Sequence, residues 1–202
     1  MRTVPGWLNE RVIRLPGQRL DEPAQDTVPL PDGIRVRRPK DLPACARLLR
    51  VVSSEHQYPA RWPEAPRSWL AGHDVLTAWV AEEHGEILGH VATATVPRNG
   101  ISRVRWQEIT GHDTDELVRV SRLFVRRRVR GRGIATDLLG VALADIRRRG
   151  LHPVMEVAST STDGIAFIER RGWRLLAMDP WGSKTERLRI HYYAAPPAKK
   201  GS

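Results

Sequence analysis

The residues best suited to chemistry form a short segment in which glycines alternate with arginines, Arg130-Gly131-Arg132-Gly133-Ile134-Ala135. The segment precedes a helical repeat, so its backbone N–H groups fall at a helix start, where they have no partner within the helix. Such N–H groups bind anions, glycine lets a phosphate approach the backbone, and guanidinium groups add charge-assisted hydrogen bonds. The segment predicts a phosphate or pyrophosphate site, and a plain tight turn into a helix is the alternative.

Two common phosphate-binding loops do not fit this segment. A dinucleotide-binding loop has a third glycine or alanine where Thr136 stands, and a P-loop ends in Gly-Lys-Ser/Thr. Residues 119–132 hold seven arginines and no acidic residue, whereas the whole chain carries a net charge of +10 (33 basic minus 23 acidic residues). Charge gathered in one place suits a compact, multiply charged ligand better than a long nucleic-acid backbone.

Hydrophobic periodicity and turn residues predict the elements that position this segment. The chain reads as a strand, two helices, a hairpin, a loop, a central strand, a helix, a strand, a helix and two final strands. Their predicted bounds are 34–38, 39–52, 69–70, 75–82 with 87–96, 97–115, 117–125, 134–150, 154–158, 161–171, 173–178 and 188–193. This order predicts an α/β fold whose central mixed sheet has about six to seven strands and is flanked by about four helices.

The chain of 202 residues is long enough for one domain with an extension at each end. Residues 1–32 contain five prolines, so we expect them to form an extended arm. We expect residues 33–193 to form the domain and residues 194–202 to form a disordered tail. The single cysteine, Cys45, excludes an intramolecular disulfide and a cysteine-based zinc site, and no apolar run is long enough to span a membrane. We therefore expect a cytoplasmic protein that uses no metal and has no membrane partner.

Three motifs occur in the order that is found in one known family. The first is Gly89-His90-Val91 in the hairpin. The second is Leu123-Phe124-Val125 followed by Arg130-x-x-Gly133-x-Ala135 and Leu138-Leu139, and the third is Ala166–Trp173 at a helix-to-strand turn. Together they resemble the GNAT superfamily of N-acetyltransferases over residues 33–193. The resemblance implies the GNAT acyl-CoA N-acyltransferase fold, with acetyl-CoA as the acyl donor and no covalent enzyme intermediate.

The resemblance also implies which residues hold acetyl-CoA. The strand at Leu123–Val125 separates from its neighbour and pairs with the pantetheine arm, and the glycine segment cradles the pyrophosphate. Ser161 stands where the family often has an asparagine, and it is also a candidate helix N-cap. The expected cofactor-binding residues are Leu123, Phe124, Val125, Arg130, Gly131, Arg132, Gly133, Ile134, Ala135 and Ser161.

The acid–base residues follow the family pattern only in part. Glu156 stands where some members, including ribosomal-protein alanine acetyltransferases, have a proton-accepting glutamate, and a structural carboxylate is the alternative. Glu116 and Glu82, at strand ends, are lesser candidates for the base. The tyrosine that commonly protonates the CoA sulfur is replaced by Ile168, so Tyr192, Tyr193 or water would have to donate that proton.

These residues predict an N-acetyltransferase that acts on a primary amine of a small molecule or peptide. Ile168 leaves a second hypothesis open, a non-catalytic protein that binds or senses acyl-CoA. The arginines at 126–128 and 147–149 leave a third, acetylation of an aminoacyl-tRNA. Nucleic acid is the less favoured partner, and a homodimer stays open because dimers are common among relatives.

Overall fold

The computed structural model of the protein describes residues 29–198, apart from residues 57, 98, 99 and 184. The predicted N-terminal arm therefore lies almost wholly outside the described residues. The described part holds a seven-stranded sheet and five α-helices. In chain order they are β1 (Ile34–Val36), α1 (Leu42–His56), α2 (Pro66–Leu70), β2 (Val75–Glu83), β3 (Glu86–Thr95), α3 (Gly100–Thr110), β4 (Leu117–Val125), α4 (Ile134–Arg148), β5 (His152–Ala158), α5 (Thr162–Glu169), β6 (Arg174–Trp181) and β7 (Leu188–Ala194).

The sheet is mixed, with the strand order β1-β2-β3-β4-β5-β7-β6. Strands β4 and β5 are parallel, as a strand–helix–strand unit through α4 requires, and the other neighbouring strands are antiparallel. The predicted fold class is confirmed, since the sheet has seven strands and the helix count is close to the expected four. The predicted strands and helices are found within a few residues of their expected bounds.

Helices cover both faces of the sheet. Along β4, Val118 and Val120 join the cluster formed with α4 and α5, whereas Leu117 joins the cluster around α3 and Phe124 joins the one around α1 and α2. Leu117 and Val118 are neighbours and point to opposite faces, and a bulge in β4 reverses the alternation before Phe124, so α4 and α5 lie on one face and α1 to α3 on the other. The face that carries α1 to α3 is called the polar face below, because the ion pairs of the site lie on it.

The loop predicted over residues 97–115 is wrong in its central part, where α3 runs from Gly100 to Thr110. Trp106 of this helix is fully buried and contacts Tyr192, but Val104 is exposed, so the helix has no continuous apolar stripe. A helix that packs mainly through one large side chain gives little periodic signal in a sequence.

The predicted disordered tail begins with residues that are attached to the sheet. Ala194 pairs with Val154, the Ala195 N–H donates to the Pro153 carbonyl at 3.0 Å, and the Arg147 guanidinium donates to the Pro196 carbonyl at 2.6 Å. The domain boundary expected at residue 193 therefore lies a few residues too early. These alanines and prolines carry no apolar period, and they are held through backbone groups that a composition argument does not detect.

Candidate active site

The central feature of the site is the place where β4 and β5 stop pairing. Within the described residues they pair only at Leu117 with His152, Val118 with Pro153 and Arg119 with Val154. Beyond this point β4 continues along β3, and β5 continues along β7. The gap between residues 120–125 of β4 and residues 155–158 of β5 is called the cleft below, and it is the separation that the sequence resemblance implied.

A β-bulge in β4 lies beside the cleft. His90 of β3 pairs with Phe124 and Ala92 pairs with Ser121, so Arg122 and Leu123 together face the single residue Val91. Arg122 has φ of +52°, a left-handed conformation that costs a non-glycine residue about 1–3 kcal/mol. A strained residue inside a central strand persists only where the surroundings hold it in place.

Several contacts hold the side chain of Arg122, which is 8% exposed. Its Nε donates to the Trp69 carbonyl at 2.8 Å, its Nη2 donates to Asp74 Oδ1 at 2.9 Å, and its guanidinium lies 5.0 Å from the centre of the Trp69 ring. Arg119 also donates to Asp74, at 3.2 Å. Burial raises the pKa of Asp74, but the hydrogen bonds and charge of Arg122 and the charge of Arg119 lower it by more, so the carboxylate is ionised at neutral pH.

The bulge determines which N–H groups face the cleft. The Arg126 N–H donates to the Leu88 carbonyl at 2.9 Å, so it points toward β3. Since successive N–H groups of a regular strand alternate between its two edges, the Val125 N–H points away from β3 and toward the cleft. Leu123 belongs to the bulge, where this alternation is interrupted. Val125, one of the three predicted strand residues, therefore offers a backbone donor to a ligand there.

The predicted glycine segment follows β4 and starts α4. Gly131 and Gly133 have φ of +80° and +84°, values that favour glycine, and Gly133 is the N-cap of α4. The Gly133 carbonyl accepts from the N–H groups of Thr136 and Asp137 at 2.8 and 3.0 Å, which closes the first helical turn. Residues Arg130–Gly133 are exposed. The first N–H groups of α4 have no partner within the helix, as an anion site requires.

The arginines around the segment are paired with carboxylates of neighbouring elements. Arg132 donates to both carboxylate oxygens of Glu83, at 2.7 and 3.0 Å, and Arg130 donates to Asp163 at the start of α5, at 2.9 Å. Arg126 and Arg128 both pair with Glu86. The set Arg126, Arg128, Arg130 and Arg132 is called the loop arginines below. Sequence reasoning missed these partners because they come from the β2–β3 turn and α5.

Glu156 lies on the polar face of β5, beside the start of the cleft. Its Oε1 accepts from Trp106 Nε1 at 3.1 Å, and its Oε2 accepts from Arg119 Nη1 at 2.7 Å. Tyr192 is its cross-strand neighbour on β7. The carboxylate is therefore held in one orientation by two donors, and each oxygen keeps capacity for a further hydrogen bond.

Tyr192 is 8% exposed and meets the Trp106 ring edge-on at 5.1 Å. Burial and the negative charges of Glu156 and Asp179 raise the pKa of Tyr192 to about 12. Its hydroxyl is therefore protonated at neutral pH and can act as a donor.

Three other predicted positions have different surroundings from Glu156. Glu116 is exposed at the paired end of β4 and accepts from the Asp113 N–H at 2.9 Å, so it caps a turn. Ser161 is the N-cap of α5, although its side chain makes no capping hydrogen bond. Ile168 is 2% exposed and packs in the core under α4 and α5. Sequence reasoning missed Asp74, Arg119 and Trp106, whose grouping depends on tertiary contacts alone.

Comparison with known proteins agrees with this geometry. A sequence model of the acetyltransferase (GNAT) family matches residues 44–173, and the chain belongs to that family. No curated protein matches the chain in sequence. In the described part of the chain, no helix has the length and apolar character to cross a membrane, and no three His, Cys, Asp or Glu side chains are grouped to hold a metal ion.

Solved structures share the fold at low sequence identity. The protein smu.2055 of Streptococcus mutans UA159 superposes with a TM-score of 0.63 and 16% identity, over 80% of this chain and 96% of its own. The ribosomal-protein-alanine N-acetyltransferase of Brucella melitensis gives 0.60 and 21%, over 80% and 97%. The Salmonella typhimurium protein yncA, solved with its cofactor acetyl-CoA, gives 0.59 and 20%, over 84% and 95%.

Proposed function

We propose that the protein transfers an acetyl group from acetyl-CoA to a primary amine by direct attack of the amine on the acetyl carbonyl. The observation that carries the proposal is the cleft between β4 and β5, which is bordered by the bulge at Arg122 and leads to the glycine segment at the start of α4. A strand edge with free N–H groups beside an anion site fits a long, polar thioester that ends in a pyrophosphate.

The residues present fit acetyl-CoA. A Cβ added at Gly131 would meet no atom within 4 Å, so the segment has open space in front of its backbone. Leu123, Phe124 and Val125 supply the strand edge for the pantetheine arm. The segment from Arg130 to Ala135 supplies the N–H groups and guanidinium groups for the phosphates. The Ser161 hydroxyl is available because it makes no capping hydrogen bond.

The chemistry requires a proton acceptor, a group that stabilises the carbonyl oxygen and a proton for the leaving thiolate. The amine nitrogen forms a bond to the acetyl carbon as the carbon–sulfur bond breaks, and the amine loses one proton. Glu156, directly or through one water, accepts that proton, and the Leu123 N–H stabilises negative charge on the oxygen. Tyr192 or water protonates the thiolate.

The pKa of the acceptor favours an α-amine over a lysine side chain. At pH 7 an α-amine with a pKa of about 8 is roughly one-tenth neutral, whereas an amine with a pKa of about 10.4 is neutral about once in 2,000 molecules. The proposed base, Glu156, is already paired with Arg119. We therefore expect the rate to be highest with an amine that loses its proton easily. The Brucella melitensis neighbour acts, by its name, on an alanine of a ribosomal protein.

The experiment measures CoA thiol release from acetyl-CoA with a panel of alanine-terminated peptides, small amines and lysine side-chain analogues. We expect turnover above a no-amine blank, fastest with an α-amine. Glu156→Gln should lower kcat about 100-fold. Glu108→Gln, at an exposed position of α3, should match the wild type. A larger loss with Glu116→Gln than with Glu156→Gln would show that the base is assigned to the wrong residue.

A second candidate is a non-catalytic protein that binds acyl-CoA. The observation in its favour is Ile168, which occupies the position of the family's proton-donating tyrosine and is buried in the core. This candidate predicts binding of acetyl-CoA with no thiol release for any amine of the panel. Turnover by the wild type would exclude it.

A further inference from the structure

His90 of β3 is a fully buried histidine to which the proposed chemistry gives no role. Its Nδ1 lies 2.8 Å from the carbonyl oxygen of Arg122, the strained residue of the bulge. Its Nε2 lies 3.0 Å from Nη1 of Arg37. The ring thus connects the end of β1 to the bulge in β4.

The partners determine the tautomer of His90. A carbonyl oxygen only accepts, so Nδ1 carries the proton and donates to Arg122, and a guanidinium only donates, so Nε2 accepts from Arg37. Burial lowers the pKa of His90 to about 3, and the neighbouring charges of Arg37 and Arg122 act in the same direction. The ring is therefore neutral, with one donor and one acceptor that are both used.

The ring is also fixed in orientation. It stacks on Phe124 with ring centres 5.1 Å apart and planes inclined by 15°. Arg37 is held in turn, because its Nη1 donates to the Leu70 carbonyl at 2.7 Å. Since neither partner can turn without losing a buried hydrogen bond, the Nδ1–H direction is set by packing on two sides.

The consequence for the cleft follows from the geometry of one peptide group. The carbonyl of Arg122 and the N–H of Leu123 belong to the same peptide plane and point in opposite directions in the trans form. A carbonyl held toward the His90 ring therefore directs the Leu123 N–H away from that ring. This peptide group directly follows Arg122, whose φ of +52° is left-handed.

We propose that His90, held by Arg37, is a positioning residue that orients the peptide group between Arg122 and Leu123 and so aims the Leu123 N–H at the acetyl carbonyl oxygen. This inference rests on the proposed acetyl transfer. His90 touches neither substrate, and its contribution is realised through the N–H that stabilises developing charge. Losing one such donor typically costs about 10²–10³ in kcat, and partial misplacement costs less.

The test compares His90→Leu, which puts an apolar side chain of similar size in place of the imidazole and removes both hydrogen bonds, with Thr93→Val. Thr93 is an equally buried residue of the same strand, and its hydroxyl donates to the Thr77 carbonyl at 3.3 Å without contacting the bulge. We expect kcat with the best amine of the panel to fall about 30-fold in His90→Leu. The Kd for acetyl-CoA should change less than threefold, and Thr93→Val should keep kcat within twofold.

A conservative variant and a spectroscopic readout complete the test. His90→Gln offers one donor and one acceptor again, so it should recover part of kcat. In the ¹⁵N–¹H spectrum of the free protein, the Leu123 amide signal should shift and broaden in His90→Leu and Arg37→Met, and it should stay in place in Thr93→Val. A kcat for His90→Leu equal to that of Thr93→Val, or an unchanged Leu123 signal, would overturn the inference.

Failure of the role assigned to His90 can be told apart from failure of the proposed acetyl transfer. Absence of wild-type turnover with every amine would remove the proposed function, whereas the Leu123 signal reports on the bulge without any turnover. If wild type turns over and the Leu123 signal moves in His90→Leu with no loss of kcat, His90 holds the bulge but does not position a catalytic donor, and the inference is wrong.

Discussion

Two groups of arginines in this protein differ in surroundings and in their expected role. The loop arginines surround the glycine segment and pair with exposed carboxylates, and all of them except Arg126 are themselves exposed; the side chains of Arg130 and Asp163 are 45% and 67% exposed. Arg119 and Arg122 are called the inner arginines. They lie on β4 beside the cleft, and their side chains are 17% and 8% exposed. They share Asp74, and Arg119 also binds Glu156.

The difference shows how one residue type serves two purposes a few residues apart. An exposed ion pair contributes little net stability because water solvates both groups and salt screens them, so a phosphate can replace the carboxylate at small cost. A buried pair that loses one partner leaves an unpaired charge, which is expensive. We infer that the loop arginines exchange partners on binding, whereas the inner arginines keep the bulge and Glu156 in place.

The largest effect is expected from breaking the inner group. Arg122→Met leaves Asp74 with Arg119 alone and removes the contacts that hold the left-handed backbone. The free energy of unfolding should fall by about 3 kcal/mol. Urea unfolding at neutral pH measures this loss, and Arg132→Met should unfold at the same urea concentration as the wild type. A loss below about 1 kcal/mol would contradict the difference between the two groups.

The next effect concerns pH, because the pKa of Asp74 lies below its ordinary value of 3.8 in the folded protein. A lowered carboxyl pKa stabilises the fold above the unfolded pKa, and this contribution is lost as the pH falls through the folded pKa. Asp74→Asn should lower the unfolding free energy by about 2 kcal/mol at pH 7. The gap from wild type should shrink below about pH 4. A gap that is constant down to pH 3 would mean that ionised Asp74 contributes nothing.

A smaller effect is expected from the loop group, and on affinity rather than stability. Arg130→Met should raise the Kd for acetyl-CoA about fivefold, since one charge-assisted phosphate contact is lost. The wild type should also weaken more than the variant between about 50 and 300 mM salt. Arg61→Met removes a similarly exposed ion pair, with Glu186, and should leave the Kd unchanged. Calorimetry at both salt concentrations measures these values, and equal Kd values for Arg130→Met and wild type would exclude a phosphate contact.

The smallest effect on the Kd for acetyl-CoA is expected from removing a carboxylate that competes with the ligand for a loop arginine. Glu83→Gln frees Arg132 from its bidentate partner and should lower the Kd for acetyl-CoA about twofold. Glu186→Gln frees Arg61 in the same way at a distant hairpin and should have no effect on the Kd. A Kd that rises in Glu83→Gln would show that Glu83 orients Arg132 for the ligand instead of competing with it.

Much of the fold could be predicted because local patterns and tertiary structure agree. The helix at Ile134–Arg148 has a regular apolar repeat and a glycine at each end, and the β2–β3 hairpin has apolar strands around a polar turn. The tight turn at the glycine segment and its place at the start of α4 could be predicted for the same reason, because glycine directly signals the positive φ that is found there. In these elements the local sequence is sufficient to predict the structure.

The rest of the site depends on contacts between distant residues. The bulge lies at Arg122, where no glycine signals a positive φ, and it is held by the Trp69 carbonyl of α2 and by side chains from β3 and the segment before β2. Helix α3 was missed although its Trp106 binds Glu156, the predicted base. The strained conformation of a non-glycine strand residue cannot be predicted from its sequence neighbours, because the partners that stabilise it are remote in sequence.

The most direct test of the account is a calorimetric titration of the purified protein with acetyl-CoA, alongside Gly133→Asp and Gly111→Asp. Both glycines have positive φ, of +84° and +73°, so both variants carry similar backbone strain, but only Gly133 lies in the glycine segment. We expect micromolar binding by wild type and Gly111→Asp and at least tenfold weaker binding by Gly133→Asp. Equal binding by all three proteins, or no binding by the wild type, would contradict it.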